Sequence, residues 1–228
     1  MLQKFRLAAQ GKGITRKPPE HLKQRIETYF DPLPFYFDPL EVQATDTHKY
    51  PLAAVTQRPM AMYHSWDSQN AWLRQIHAHN YLFVNGRTAR LAGIDDGDWI
   101  WVESQWGKVR CMARHSEAVE PGTVWTWNAI GKAAGAWNLT PDANESKLGF
   151  LLNHVISEEL PAGNARISNS DPVTGQAAWY DVRVRISKVS PGEAAPGLQT
   201  SSPQFEPLKP YPGQEERKSL WAYMKGAK

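Results

Sequence analysis

Residues Gln57 to Val102 read QRPMAMYHSWDSQNAWLRQIHAHNYLFVNGRTARLAGIDDGDWIWV, and the fold follows from how the parts of this stretch differ. The first part, Gln57 to Asn70, is a polar and aromatic loop crowded with hydrogen-bonding side chains. Ala71 to Ala78 follows, with Trp72, Leu73 and Ile76 at helical spacing. Tyr81 to Asn85 then reads as a strand, and a small helix from Thr88 to Ala92 stops at Gly93. Asp95-Asp96-Gly97-Asp98 turns the chain into a second strand, Trp99 to Val102. Function is expected in the polar loop, and the strands are expected to be its scaffold.

Short strands with turn signals continue outward in both directions. Before the loop, Leu52 to Thr56 feeds into it. After it come a hairpin at Glu103 to Lys108, a returning strand from Val109 to Ala113, and a Pro121-Gly122 turn into Val124-Trp125. Trp179 to Ile186 alternates as a last strand. Strands at roughly 8–12-residue spacing predict a closed or sandwiched, mainly β core. Leu148, Leu151, Leu152 and Val155 suggest a helical stripe between Ser146 and Leu160.

The flanks differ in composition. Residues 1–49 read as an arm with one short helix, Pro18 to Tyr29, striped by Leu22, Ile26 and Phe30. The segment Asp31 to Pro39 carries three prolines and cannot be regular helix. Residues 190–228 form a Pro-rich tail that cannot build a core, with a candidate terminal helix from Glu215 to Lys225. The core is therefore expected over residues 50–189.

Composition excludes several function classes. Among 228 residues the net charge is +3, with the basic side chains scattered, so nothing points to nucleic acid. The single cysteine, Cys111, rules out an internal disulfide or a cysteine-based metal cluster and reads as an inert buried side chain. No run approaches a membrane span, and the first residues lack a secretory signal pattern, so a soluble chain is expected. Ten tryptophans are many for this length; a flat face with one N–H suits planar ligands and interfaces as well as a core.

No catalytic constellation emerges. Both glycine-rich phosphate motifs are absent. His77 and His79 lack a third metal ligand at recognisable spacing, and Asp95, Asp96 and Asp98 lack the closing Glu of a calcium loop. What stands out is a density of neutral hydrogen-bonding groups: Gln57, His64, Ser65, Ser68, Gln69, Asn70, Asn85, Asn128, Asn153 and Gln176, with Arg58 beside them. Paired amide donors and acceptors match the edge of a pterin or guanine, and the Arg58 fork suits a phosphate.

The run Asn85-x-x-x-Ala89-x-x-Ala92-Gly93-Ile94-x-Asp96-Gly97-Asp98 resembles the C-terminal molybdopterin-dinucleotide-binding domain of the dimethyl sulfoxide reductase family of molybdenum oxidoreductases. Gly107-x-Val109, Val119-x-Pro121-Gly122-Thr123-Val124, Asn153 and Asp171-Pro172-x-Thr174-Gly175-Gln176 follow in the same order. The chain is similar in particular to the large subunits of sulfite dehydrogenases and of polysulfide or thiosulfate reductases. The resemblance implies a double-psi β-barrel that holds one face of a molybdenum bis(molybdopterin guanine dinucleotide) cofactor, in a catalytic subunit whose substrate is a sulfur oxyanion. It implies cofactor contacts at Gln57, Arg58, His64, Ser65, Asn70, Asn85, Asn153 and Gln176. No catalytic residue and no metal ligand is expected in this chain, because the iron–sulfur cysteines and the molybdenum ligand belong to other domains of such subunits. Expected partners are the remainder of the catalytic subunit, an iron–sulfur electron-transfer subunit, and indirectly a membrane anchor subunit. The expected location is cytoplasmic, with any membrane association through those partners. The alternative is a non-catalytic double-psi barrel interaction module. The self-processing decarboxylases that share the barrel need a Gly-Ser dipeptide, which this chain lacks.

Overall fold

In a computed structural model the described residues are 1–13, 16–64, 66–67, 70–77, 80–128, 150–162, 165–177, 182–191, 193 and 205–206. Alternation of apolar and polar side chains sets the barrel strands: β1 (Leu52–Gln57), β2 (Tyr81–Val84), β3 (Trp99–Glu103), β4 (Lys108–His115) and β5 (Thr123–Trp127). A hairpin of β6 (Glu159–Ala162) and β7 (Ala165–Ser168) lies outside the barrel, β8 (Val182–Lys188) rejoins it, and β9 (Phe205–Glu206) adds two residues at one edge. The short helices are α1 (Leu2–Ala9), α2 (Lys23–Tyr29), α3 (Leu40–Gln43), α4 (Ala71–Ile76) and α5 (Gly86–Leu91).

The sheet order is β2-β5-β1-β8-β3-β4, and β4 pairs again with β2, which closes six strands into a barrel. Two contacts are parallel, β1 with β5 and β2 with β4; the other four are antiparallel. This is the interlocked pattern of a double-psi barrel, not an up-and-down one. Inward positions fill the interior: Leu52 and Ala54, Leu82 and Val84, Ile100 and Val102, Val109 and Cys111, Val124, Val182 and Val184 are all buried. Closure leaves these strands no free edge within their paired lengths.

Strand direction gives the barrel two distinct ends. Gln57 ends β1 opposite Trp127, the end of the parallel β5. The antiparallel β2 therefore starts at that same end, with Leu82 beside Thr126. The β3–β4 turn and the start of β8 lie there too, since Glu103 faces both Lys108 and Arg185. We call this the loop end. The opposite end carries α5, the Asp95–Asp98 turn and the first residue of β5. Gly93 sits past α5 at φ 67°, where a residue without Cβ is unstrained, and Ile94 N–H closes the helix onto the Ala89 carbonyl at 2.9 Å.

The arm is more structured than its sequence suggests. Helix α1 packs on α2 through an edge-on contact of Phe5 with Phe30, and Arg6 pairs with Asp31. Arg25 on α2 donates to the carbonyls of Pro172 at 2.6 Å and Asp171 at 3.1 Å. Glu41 on α3 is 1% exposed. Its carboxylate accepts from Trp106 Nε1 at 2.8 Å, Thr45 Oγ1 at 3.2 Å and Asn169 Nδ2 at 3.1 Å. These neutral donors pin the arm to the β3–β4 turn.

Several sequence expectations are adjusted. The predicted helix over 18–29 is a 3-10 turn at Glu20–Leu22 followed by α2, and α1 was not expected. The predicted helix between Ser146 and Leu160 reduces, within its described part, to a 3-10 turn at Leu152–Val155 and the start of β6; of the expected stripe, Leu152 and Val155 enter the core, beside Phe150. The last strand is described from Val182, and the expected terminal helix at 215–225 lies outside the described residues. Cys111 is buried, and burial pushes its thiol well above the usual range. Among the described residues no helix is long and apolar enough to cross a membrane.

Candidate functional site

The loop that leaves β1 returns to the strand pair it left. Gln57 accepts the Asn128 N–H on its backbone carbonyl at 2.8 Å. The chain then passes buried Pro59 and Met62 and reaches α4. Asn70 caps that helix: its Oδ1 accepts from Trp72 N at 3.0 Å and Leu73 N at 3.4 Å. At the other end of α4 the His77 ring lies 5.4 Å from Trp127, the register partner of Gln57. Both ends of the loop are thus anchored on β1 and β5.

Between the anchors several side chains are exposed. The Arg58 guanidinium sits 5.3 Å over the exposed Tyr63 ring, and His64 packs edge-on against the same ring at 5.3 Å. His64 has φ 52°, the left-handed region that non-glycine residues rarely enter, a conformation that clusters at ligand-binding positions. Asp67 accepts the Tyr63 N–H at 2.8 Å, so the loop's one described carboxylate is turned to its own backbone. Trp66 is 73% exposed and Trp72 78%, with Met60 and Ile76 also bare. Together they make an apolar rim of the kind that marks an interaction surface.

Inside the rim the barrel mouth is polar. Thr56, Asn80, Thr126 and Asn128 occupy positions where strand alternation continues the apolar interior of Ala54, Leu82 and Val124. Thr126 Oγ1 donates to Asn80 Oδ1 at 2.9 Å, and Asn80 Nδ2 donates to the carbonyls of Trp127 and Phe150, both at 3.0 Å. Thr56 Oγ1 and Asn128 Oδ1 are buried and have no hydrogen-bond partner among the described residues. Of these four, Asn128 counted among the amide-rich positions in the sequence, and the other three were missed. The signal was present: each is a polar residue where the period of two demands an apolar one.

The expected contacts separate on this frame. Gln57, Arg58, His64 and Asn70 gather at the loop end. Asn153 joins them: its 3-10 turn is held at that end by Ser104 Oγ donating to the Val155 carbonyl at 2.7 Å, and Asn153 itself is exposed. Ser65 lies outside the described residues. Gln176 closes a hairpin turn in which its carbonyl accepts Asp171 N–H at 2.6 Å, and that turn is held by Arg25 of the arm, not by the loop. Asn85 sits at the opposite end. Its Oδ1 caps α5 through Arg87 N at 2.9 Å, and its Nδ2 donates to the Val119 carbonyl at 2.8 Å. Its hydrogen bonds serve the fold.

The Asp-rich turn at that opposite end is structural as well. Asp98 accepts Asp95 N–H at 2.7 Å and pairs with Lys188 at 2.6 Å, and Asp96 accepts His115 N–H at 2.7 Å. The hydrogen bond from Lys188 holds the Asp98 carboxyl below its usual range.

Comparison with known proteins decides the family. The family model described as Molydopterin dinucleotide binding domain matches residues 52–179, more than half of the chain. The chain belongs to this family. The molybdopterin-dinucleotide-binding chain is 66% identical over 229 residues to a sulfite dehydrogenase subunit of Allochromatium vinosum, covering 99% of this chain and 23% of that protein. It is 28% identical over 180 residues to dopamine dehydroxylase of Eggerthella lenta, covering 76% of this chain and 15% of the relative. With the thiosulfate reductase molybdopterin-containing subunit of Salmonella typhimurium it shares 32% over 85 residues, or 37% and 11% of the two chains. The solved structure of acetylene hydratase from Pelobacter acetylenicus superposes with a TM-score of 0.54 over 70% of this chain and 22% of that one, at 23% identity. That likeness confirms the barrel fold. The chain spans less than a quarter of the length of these relatives.

The residues at the loop end fit the family's ligand. Two buried oxygens without partners among the described residues, exposed amides at Gln57 and Asn153, and the Arg58 guanidinium supply acceptors, donors and a positive charge. A molybdopterin dinucleotide would meet Gln57, Arg58, His64 and the barrel mouth here, and when bound it would supply redox chemistry.

Proposed function

We propose that this chain forms one face of the pocket for a molybdenum bis(molybdopterin guanine dinucleotide) cofactor, within an oxidoreductase catalytic subunit that acts on a sulfur oxyanion. The observation that carries the reading is the convergence, at one barrel end, of the polar mouth with Gln57, Arg58, His64 and Asn153. Its counterpart is the absence of such groups, among the described side chains, from the apolar interior behind it. The likeness to a sulfite dehydrogenase subunit supports the substrate class.

In this reading the remainder of the subunit holds the metal and covers the rim of Met60, Trp66, Trp72 and Ile76. Electrons leave through an iron–sulfur partner. In the same reading Gln57, Arg58, His64, Ser65, Asn70 and Asn153 contact the cofactor, and Asn85 and Gln176 take a supporting role, a reading favoured by their hydrogen bonds within the fold. Arg58 meets a phosphate with a two-pronged donor set, and the amides meet ring edges. A pure interaction module would use the aromatic rim and leave the mouth idle. The test is titration of the chain, with the remainder of the subunit supplied, by molybdopterin guanine dinucleotide. Saturable uptake of one cofactor supports the reading; no uptake overturns it.

A further inference from the structure

Thr56 Oγ1 and Asn128 Oδ1, at the barrel mouth, are buried and have no hydrogen-bond partner among the described residues. A buried oxygen with no partner is costly, and native proteins rarely keep one unless something else meets it. Their neighbours Thr126 and Asn80 spend their O–H and N–H donors on one another and on two backbone carbonyls, so that pair has no donor left for Asn128 Oδ1. The two orphans lie on adjacent parallel strands, where Thr56 pairs in register with Thr126 and Asn128 follows two residues on. Two residues of rise and one strand spacing put their Cα atoms roughly 8 Å apart, close enough for both side chains to reach one edge of a planar heterocycle. Asn128 Oδ1 can only accept, so its partner must be an N–H or O–H donor, whereas the Thr56 hydroxyl takes either role.

We infer that Thr56 and Asn128 are a specificity pair that reads the aminopyrimidinone edge of the cofactor. Asn128 accepts from the amine, and Thr56 meets the ring N–H or carbonyl beside it. The inference rests on the cofactor reading above and adds to it the residues that recognise the ring. The same edge occurs in the pterin and in the guanine of the dinucleotide, and their common chemistry is what the pair matches.

The test compares wild type with Thr56→Val, Asn128→Leu and Asn128→Asp, each co-produced with the remainder of the subunit. Pterin and guanine released on denaturation are counted per polypeptide, and the Tm of each isolated chain is measured. Thr56→Val removes a hydroxyl that has no partner among the described residues, so its Tm stays level or rises while retained cofactor falls roughly tenfold. Asn128→Leu loses cofactor similarly, and Asn128→Asp, which keeps an acceptor, retains more than Leu. Variants that load as well as a loaded wild type overturn the pair and leave the cofactor reading intact; a wild type carrying neither ring overturns both.

To tell the rings apart, GMP, IMP, pterin and lumazine are titrated into the isolated chain while the Thr56 and Asn128 amide resonances are followed. The ring that is read shifts both resonances, and its counterpart lacking the amine binds roughly tenfold more weakly. Equal binding by IMP or lumazine, or no shift with any of the four, overturns the assignment.

Discussion

Asn85→Ala separates folding from binding at a position that the motif pattern places among the cofactor contacts. The Asn85 side chain caps α5 through Arg87 N and satisfies the buried Val119 carbonyl through Nδ2. Loss of an N-cap costs about 1 kcal/mol, and leaving a buried carbonyl without its donor costs about 1–3 kcal/mol. The total is about 2–4 kcal/mol, which for a chain of this size lowers Tm by roughly 5–12 °C. Asn85→Asp keeps the cap but loses the donor and brings a second negative charge near Glu117, whose carboxylate lies 3.5 Å from Nδ2, so it should fall by at least as much. Differential scanning calorimetry reads the stability, and equilibrium dialysis of the assembled subunit reads the cofactor affinity. The structure predicts a large Tm loss with affinity unchanged wherever the protein is folded. A drop in affinity at unchanged Tm would refute the placement of Asn85 a full barrel length from Gln57.

Two further predictions concern the arm and the rim. Burial holds the Glu41 carboxyl above its ordinary value, outweighing the hydrogen bonds from Trp106, Gln105, Thr45 and Asn169. The folded state therefore binds this proton more tightly than the unfolded state does, and the stability it contributes is present at low pH and lost as pH rises through the folded value. Wild type should lose stability relative to Glu41→Gln as pH climbs above the ordinary glutamate value of about 4.3; a stability difference that does not change with pH in urea denaturation would contradict this. Arg58→Ala should lower cofactor retention several-fold with no change in Tm, since its described contact is the exposed Tyr63 ring; a fall in Tm without loss of retention would assign Arg58 to the fold.

Much of the barrel was legible in the sequence because period-two alternation and turn residues are local signals. The strands expected at Tyr81 to Asn85 and Trp99 to Val102 form as Tyr81–Val84 and Trp99–Glu103, and the expected stop at Gly93 has the positive φ that suits it. Closure was not local: β2 meets both β4 and β5 through contacts that no window of sequence contains. The same limit explains the site. Gln57, Arg58 and His64 are neighbours in sequence and stayed together in space. Asn85 carried a similar chemical signal, but one strand traversal took it to the other end. Thr56 looked like an ordinary strand residue until the register showed that its hydroxyl enters the barrel with no partner among the described residues. The buried Glu41 was invisible because its partners, Trp106 and Asn169, come from distant segments.

Amide hydrogen exchange of the assembled subunit, with and without molybdopterin guanine dinucleotide, tests the central claim most directly. The loop end as cofactor face predicts slowed exchange across residues 57–77 and at Asn128 on binding, with residues 85–98 unchanged. Protection concentrated in 85–98, with 57–77 indifferent to the cofactor, would contradict it.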